Sequence, residues 1–496
     1  MGKQPKEKFY VTTAIDYTNS VPHIGHMLEK IQADVIARYA HLQGKSVFFL
    51  TGTDEHGTKV YKTAQQQGIL VKKFADANSK AFKELKKLLN LSWNEFIRTT
   101  DQKKHWPGVI KMWKALEQAG DLYKRTYRGL YCTGCETFLT EKDLVEGKCP
   151  IHLREPELIE EENYFFRLSA YTKTLRQKIK SKEFEIIPET RANEILALID
   201  QGLDDVSFSR ASDKLPWGIP VPGDSGQTMY VWADALTNYL SGIGYGRDTE
   251  TFKKWWPADV QVIGKDILRF HAAIWPAMLL SAQLPLPKKL FVHGFINSEG
   301  QKMSKSLGNV VYPQDVVQEF GTDSVRYYFL REISPTQDGD YSRQRFVERY
   351  NADLANGLGN LVARVTGVAL KFHKLIASDF KMMDLGVEQK IKTIQKSIDE
   401  AMQAFRFNDA LAELWSLIAF ADSYINDKKP WSTENPAIEN EKVLFNLLVL
   451  VNSVGVLLEP FMPETSKKIV KNLDLKGKEI KIKENIKLFP RIEVII

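Results

Sequence analysis

The first fifty-odd residues carry a strand–helix–strand pattern, and few folds accommodate it. Residues 8–15, KFYVTTAI, are β-branched and aromatic and read as a buried strand. Asn19 and Ser20 read as capping residues, and Pro22 suits the first turn of the helix they introduce. Leu28, Ile31, Val35, Ile36, Tyr39 and Leu42 then recur at helical spacing until Gly44 stops the helix. VFFL at 47–50 is the next strand, and TGTDEHG at 51–57 is its exit loop. Two strands joined in this way are expected to lie parallel, with a right-handed crossover. Ligands of such sheets bind beyond the carboxyl ends of the strands. His23, Gly25, His26, Asp54 and His56 all fall there. The chain has no GxGxxG, which argues against an ordinary dinucleotide fold.

At 496 residues the chain exceeds what one core supports, so two to four domains are expected. Helical patterns run on through about 58–120, and an aromatic, cysteine-bearing module follows at 124–165. A second α/β segment returns near 226, with TMYVWADAL, ADVQVIGKDI and KLFVHGFI as its blocks. From about 345 the pattern is almost all helix to 473, and the stretch 467–491 is rich in lysine. The segments expected are 1–115, 116–225, 226–296, 297–345 and 346–496. A net charge of +6 permits a polyanionic partner without demanding one. Apolar runs such as VLFNLLVLV at 443–451 are too short to span a bilayer, so no membrane is expected. MGKQPKEKFY lacks a signal-peptide core, and Lys6 stands where a myristoylation signal wants Ser or Thr. A cytoplasmic protein is expected.

Three motifs carry chemistry. In VPHIGHMLEK, residues 21–30, His23 and His26 share the first turn of a helix, where free N–H groups and the dipole favour phosphate. Each ring can donate to a phosphoryl oxygen, and Gly25 lets a flat base approach the backbone. In GQKMSKSLGN, residues 300–309, Lys302 and Lys305 alternate with Ser304 and Ser306 in a loop able to close on a triphosphate. Its lysines would neutralise charge on leaving pyrophosphate. The only three cysteines lie in Cys132-x-x-Cys135 and Cys149-x-x-His152, the knuckle spacing of a closed Cys3His zinc site. One structural Zn2+ is expected there, folding a module with little core of its own.

PHIGH and KMSKS resemble the two signature sequences of class I aminoacyl-tRNA synthetases. The resemblance extends through TTAIDYTNSVPHIGHM, FFLTGTDEHGTK, the cysteine-bearing insert, EENYFF, WGIPVP, YVWADALTNY, VIGKDILRFHAAIWPAML, GQKMSKSLGN and NADLANGLGNLVAR. Those blocks are similar to the methionyl-tRNA synthetases. The resemblance implies an α/β fold: a Rossmann-like parallel-sheet catalytic domain split by a zinc-knuckle insert, then an all-α anticodon-binding bundle. It implies a ligase that activates L-methionine with ATP and Mg2+ and passes it to tRNA(Met). Ile15, Tyr17, Trp232, Ala235, Leu236, Tyr239 and His271 would line the methionine side chain, and Asp54 would pair with its ammonium. Asp266 would accept from the ATP ribose, with Lys265 and Ser304 near the phosphates. AIDY at 14–17 is a less usual form of its block and leaves Asp16 unexplained. Asn360 and Arg364, at i and i+4, and Trp431 would read the anticodon by hydrogen bonds and stacking.

Other class I enzymes fit less well. The large aliphatic ones need a long editing insertion between His26 and Lys302, and one for cysteine would place a metal in its amino-acid pocket. A nucleotidyltransferase of another kind would not need Asn360, Arg364 and Trp431. A tRNA-binding scaffold without activity would not need intact His23, His26, Lys302, Lys305 and Asp54. Many relatives continue beyond the equivalent of LFPRIEVII into an OB-type domain that dimerises. A monomer is therefore expected, or a chain helped by a separate tRNA-binding polypeptide.

Overall fold

The computed structural model describes residues 6–133, 137–139, 141–151, 153–303, 308–371, 376–377, 383–432, 435–474 and 479–493. The chain forms two compact units. One comprises Met1–Pro22, Gly44–Lys87 and Ser92–His293; the other comprises His23–Gln43, Leu88–Leu91 and Gly294–Ile496.

A seven-stranded sheet organises the first unit. β1 (Lys8–Thr13) lies between β3 (Ser46–Asp54) and the strand Val260–Gly264. Lys289–His293 and Glu185–Ile187 continue the sheet on one side, and β2 (Asp16–Tyr17) and β4 (Glu95–Arg98) pair with β3 on the other. Every pairing is parallel. The registers Val11↔Val260 and Val11↔Phe49 show how two sequence-distant halves share β1 as their seam. Parallel strands covered on both faces need apolar residues throughout, and Tyr10, Val11, Phe49, Leu50, Val262 and Ile263 are fully buried. The strand expected over 8–15 is broken: β1 ends at Thr13, Ala14 N–H donates to Val262 C=O at 3.0 Å, and pairing resumes at Asp16. β4 falls inside the stretch read as helical. It is four residues long, and the charged Glu95 and Arg98 at its ends mask Ile97, which is fully buried.

The insert is antiparallel. Leu122–Cys132 and Glu157–Phe166 pair from Leu122↔Phe166 to Tyr131↔Glu157, flanked by Thr137–Leu139 and Val206–Ser207.

The second unit is mostly helical. α1 (Ile24–Leu42) belongs to it, with Asn360–Lys371, Leu385–Gln403, Phe407–Lys428, Ala437–Leu457 and Pro463–Asn472 among its longer helices. Tyr350–Gly359 winds as a π-helix ahead of Asn360. Buried ion pairs tie α1 into this unit. Arg326, fully buried, reaches Asp34 at 2.8 Å and the carbonyls of Leu89, Pro460 and Phe461 at 3.2, 2.9 and 2.8 Å. Arg38 holds Asp34 at 2.7 Å and Glu459 at 3.0 Å. Each buried charge thus has a counter-charge and further hydrogen bonds, the condition under which such pairs are tolerated. The helix Ala437–Leu457 extends past the 443–451 run on both sides and, contrary to expectation, is long and apolar enough to cross a membrane by length and composition. Its most apolar window is 67% buried inside the protein, as a core helix of a bundle would be.

Candidate functional site

In the first unit, pairing of β2 with β3 sets Tyr17 opposite Asp54 at the carboxyl end of the sheet. Asp54 is 3% exposed. Its carbonyl accepts from the N–H of Thr18 at 3.0 Å, and the Thr18 carbonyl accepts from Asn78 at 2.6 Å. Glu55, next in the chain, is fully buried and saturated: Arg98 grips it at 2.6 and 2.7 Å, Thr53 and Thr100 at 2.7 and 2.5 Å. The Glu55 carboxylate is thus committed to the scaffold.

Tyr17, Ile15, Trp232, Leu236 and Tyr239 pack in one apolar cluster, and Ala235 is buried beside them in sequence. Trp232 stacks on Phe270 with centroids 3.7 Å apart and planes 12° from parallel. Its indole Nε1 is buried without a hydrogen-bond partner among the described residues. Tyr239 Oη lies 2.6 Å from His271 Nε2, and His271 Nδ1 lies 3.0 Å from the Ile267 carbonyl. A carbonyl only accepts, so the His271 proton sits on Nδ1, and the Tyr239 hydroxyl donates to Nε2. Phe270 and His271 open a π-helical turn, Phe270–Ile274, a device that recurs where function requires side chains to be re-aimed. The stacking partner Phe270 was not legible in the sequence, where it reads as one more apolar position of a helix.

Lys265 and Asp266 begin a 3-10 turn directly after the strand Val260–Gly264, so they too stand at the sheet's carboxyl end. A Cβ on Gly264 would come within 2.7 Å of Asp266 Oδ1, so only glycine leaves that carboxylate its place.

The signature histidines belong to the second unit. The expected caps, Asn19 and Ser20, are not used: His23 itself is the N-cap of α1. His23 Nδ1 accepts from the Gly25 N–H at 3.1 Å, and His26 Nδ1 accepts from the His23 N–H at 3.1 Å. The Ile24 N–H donates to the Val311 carbonyl at 3.1 Å. Three N–H groups at this helix end are thus occupied within the protein, and the expected free-amide anion site is largely spent. The same bonds supply a substitute. With both Nδ1 atoms accepting, each neutral ring carries its proton on Nε2. The two rings lie together, centroids 3.9 Å apart. Burial lowers the His23 pKa to about 4, so it is neutral at physiological pH. A Cβ on Gly25 would meet His23 Cε1 at 2.8 Å, so glycine is required for this ring position as well as for access.

Lys302 is exposed, paired through the antiparallel register Asn297↔Lys302, with its ammonium 6.0 Å from the centre of the Phe295 ring. Ser304 and Lys305 lie outside the described residues. In the helical bundle, Asn360 is exposed at the start of its helix, and Trp431 is 47% exposed. Arg364 holds Asn426 Oδ1 at 2.6 Å and reaches Asp422 at 3.5 Å.

Of the proposed zinc ligands, Cys135 and His152 lie outside the described residues. Cys132 and Cys149 are both buried and share a small cluster with Leu139 and Leu144. The turn after Cys149 closes with Leu153 N–H donating to the Cys149 carbonyl at 2.8 Å. Among the described residues, no three His, Cys, Asp or Glu side chains come together as a metal site.

Known proteins resemble this chain over most of its length. The family model described as tRNA synthetases class I (M) matches residues 9–155 and 142–366, and that of the anticodon-binding domain of tRNA ligase matches 384–493. The methionine–tRNA ligase of Thermotoga maritima is 44% identical over 483 residues, covering 96% of this chain and 76% of that protein. The methionine–tRNA ligase of Nostoc sp. is 42% identical, covering 94% and 90%. A solved structure of Mycobacterium tuberculosis methionyl-tRNA synthetase in complex with methionyl-adenylate matches with a TM-score of 0.88 at 40% identity, covering 94% of each chain.

Proposed function

This chain belongs to the class I methionyl-tRNA synthetases, and from that premise we propose how its residues divide the reaction. The enzyme activates L-methionine with ATP to methionyl-adenylate, releasing pyrophosphate, then transfers methionine to the 3′ end of tRNA(Met). In our reading Asp54 pairs with the methionine ammonium. Ile15, Tyr17, Trp232, Ala235, Leu236, Tyr239 and His271 enclose the thioether, whose polarizable sulfur suits aromatic edges. Asp266 accepts from the ribose hydroxyls, and Lys265 and Ser304 approach the phosphates. ATP enters as its magnesium complex, and the cation contributes charge neutralisation on the triphosphate.

The first step forms a bond from a methionine carboxylate oxygen to the α-phosphorus and breaks the bond to the pyrophosphate oxygen in line. No proton moves and no covalent enzyme intermediate is needed. Positioning and charge stabilisation supply the rate. His23 and His26 donate Nε2–H to phosphate oxygens, and Lys302 and Lys305 neutralise the leaving pyrophosphate. The observation that carries this reading is the capping arrangement, which fixes the tautomer of both histidines. In the second step the terminal 2′-hydroxyl of tRNA attacks the adenylate carbonyl, the bond to the phosphate oxygen breaks, and AMP leaves with the hydroxyl proton passing to its phosphate. Asn360, Arg364 and Trp431 read the anticodon.

The deciding experiment is ATP–pyrophosphate exchange with each of the twenty amino acids and no tRNA. Exchange with methionine alone is expected. Exchange with a different amino acid would keep the phosphate chemistry and discard the pocket assignment.

We infer further that Cys132, Cys135, Cys149 and His152 hold one structural zinc. Metal analysis of the purified chain is expected to return about one zinc per polypeptide, and Cys149→Ser to lose it. A parent chain free of zinc after purification without chelators would end that assignment.

A further inference from the structure

Asp234 lies between Trp232 and Ala235 in sequence, yet the reaction as described gives it no task. It is 1% exposed, and both its oxygens are taken by histidines from distant parts of the chain. His56 Nδ1 lies 2.6 Å from Oδ2, and His105 Nε2 lies 2.7 Å from Oδ1. His105, fully buried, completes the chain with Nδ1 2.7 Å from Ser241 Oγ. Burial alone would push the Asp234 carboxyl up; the two imidazoles outweigh it and hold it below the usual carboxylate range.

The three residues stand on three different elements. His56 is in the exit loop of β3, two residues after Asp54. His105 immediately precedes the helix Trp106–Gln118, whose Gly108 packs so closely that a Cβ would meet Ser241 Cβ at 2.8 Å. Asp234 is in the helix Val231–Ala235 with Trp232 and Ala235. Trp217 clamps the same exit loop: its indole donates to the Glu55 carbonyl at 2.6 Å, its own carbonyl accepts from Gly57 at 3.2 Å, and its ring meets His56 edge-on at 5.5 Å.

We propose that Asp234 is a positioning residue which, through His56 and His105, holds the loop bearing Asp54 in register with the helix bearing Trp232 and Ala235. This rests on the reading of those three residues as the methionine pocket. A substrate gripped at its ammonium by one element and at its side chain by another is sensitive to the spacing between them. A buried carboxylate adds little net stability over well-packed apolar groups, so its contribution here is fixed geometry.

The two ring contacts use different nitrogens, which gives a test that packing alone would not satisfy. An asparagine amide nitrogen reaches where His Nδ1 sits, and a glutamine amide nitrogen reaches where Nε2 sits. His56→Asn and His105→Gln should therefore keep the donors to Asp234, whereas His56→Gln and His105→Asn should misplace them. In methionine-dependent pyrophosphate exchange, the matched pair should keep the methionine KM within about threefold of the parent. The misplaced pair should raise it about tenfold, with the ATP KM unchanged. If the four variants behave alike, or if the ATP KM moves with that of methionine, the positioning role is overturned while the pocket stands. If the parent chain fails to exchange with methionine, the pocket assignment falls and takes this inference with it.

Discussion

Replacing His23 with asparagine is expected to lower the kcat of pyrophosphate exchange about 100- to 1000-fold, with the methionine KM and the melting temperature near those of the parent. The separation follows from the two roles of the ring. Its Nδ1 caps α1 by accepting from Gly25 N–H, a task asparagine performs as well as any residue. Its Nε2–H is the group assigned to the phosphate, and asparagine has nothing at that reach. Loss of one preorganised donor to developing charge costs catalysis on this scale. His23→Ala would lose the cap too, at about 1 kcal/mol of stability. Calorimetry beside exchange kinetics tells the cases apart. An asparagine variant with full activity would mean that the ring serves only the helix.

Asp54→Asn is expected to raise the methionine KM about 100-fold or more, leaving the ATP KM unchanged. The substitution keeps shape and removes charge at a site 3% exposed. Removing one partner of a desolvated ion pair strands the other, at a cost of about 2–5 kcal/mol. Glu55, the next residue, is expected to be structural, because its oxygens are engaged by Arg98, Thr53 and Thr100. A methionine KM that stays put in Asp54→Asn would move the ammonium site elsewhere.

Much of the sheet was readable from sequence because its strands are apolar and bounded by clear stops. KFYVTT and VFFL run from partly buried at their starts to buried at their ends, and Gly44 ends α1 in the left-handed region at φ +86°. The return of the sheet near residue 260 was visible in ADVQVIG, whose strand pairs with β1. Local pattern failed where the deciding contact was non-local or atypical. Asn19 and Ser20 have the chemistry of caps, but the His23–His26 pair does that work, and no propensity scale favours histidine there. β4 is too short to show a period of two. Asp234, His56 and His105 are far apart in sequence, and a carboxylate inside WADAL looks like the polar face of a short helix. The π-helical turns at Phe270–Ile274 and Tyr350–Gly359 cannot be told from α-helix by hydrophobic spacing. The signature loop was legible as a motif, and its Ser304 and Lys305 lie outside the described residues.

The membership of α1 bears on how this protein can be cut. In sequence the helix is an early crossover, and a protein engineer would count it with the strands on either side. By contact it is a member of the C-terminal body, moored through Asp34 and Arg38 to Arg326 and Glu459. A fragment ending before Arg326 would leave the fully buried Asp34 with Arg38 alone, remove the Glu459 partner of Arg38, and uncover the apolar flank of the helix whose first turn is the PHIGH motif. An N-terminal fragment alone is therefore expected to fail in adenylate formation. Any dissection, split reporter or circular permutant that keeps adenylate chemistry has to retain the segment around residues 459–461 along with the sheet.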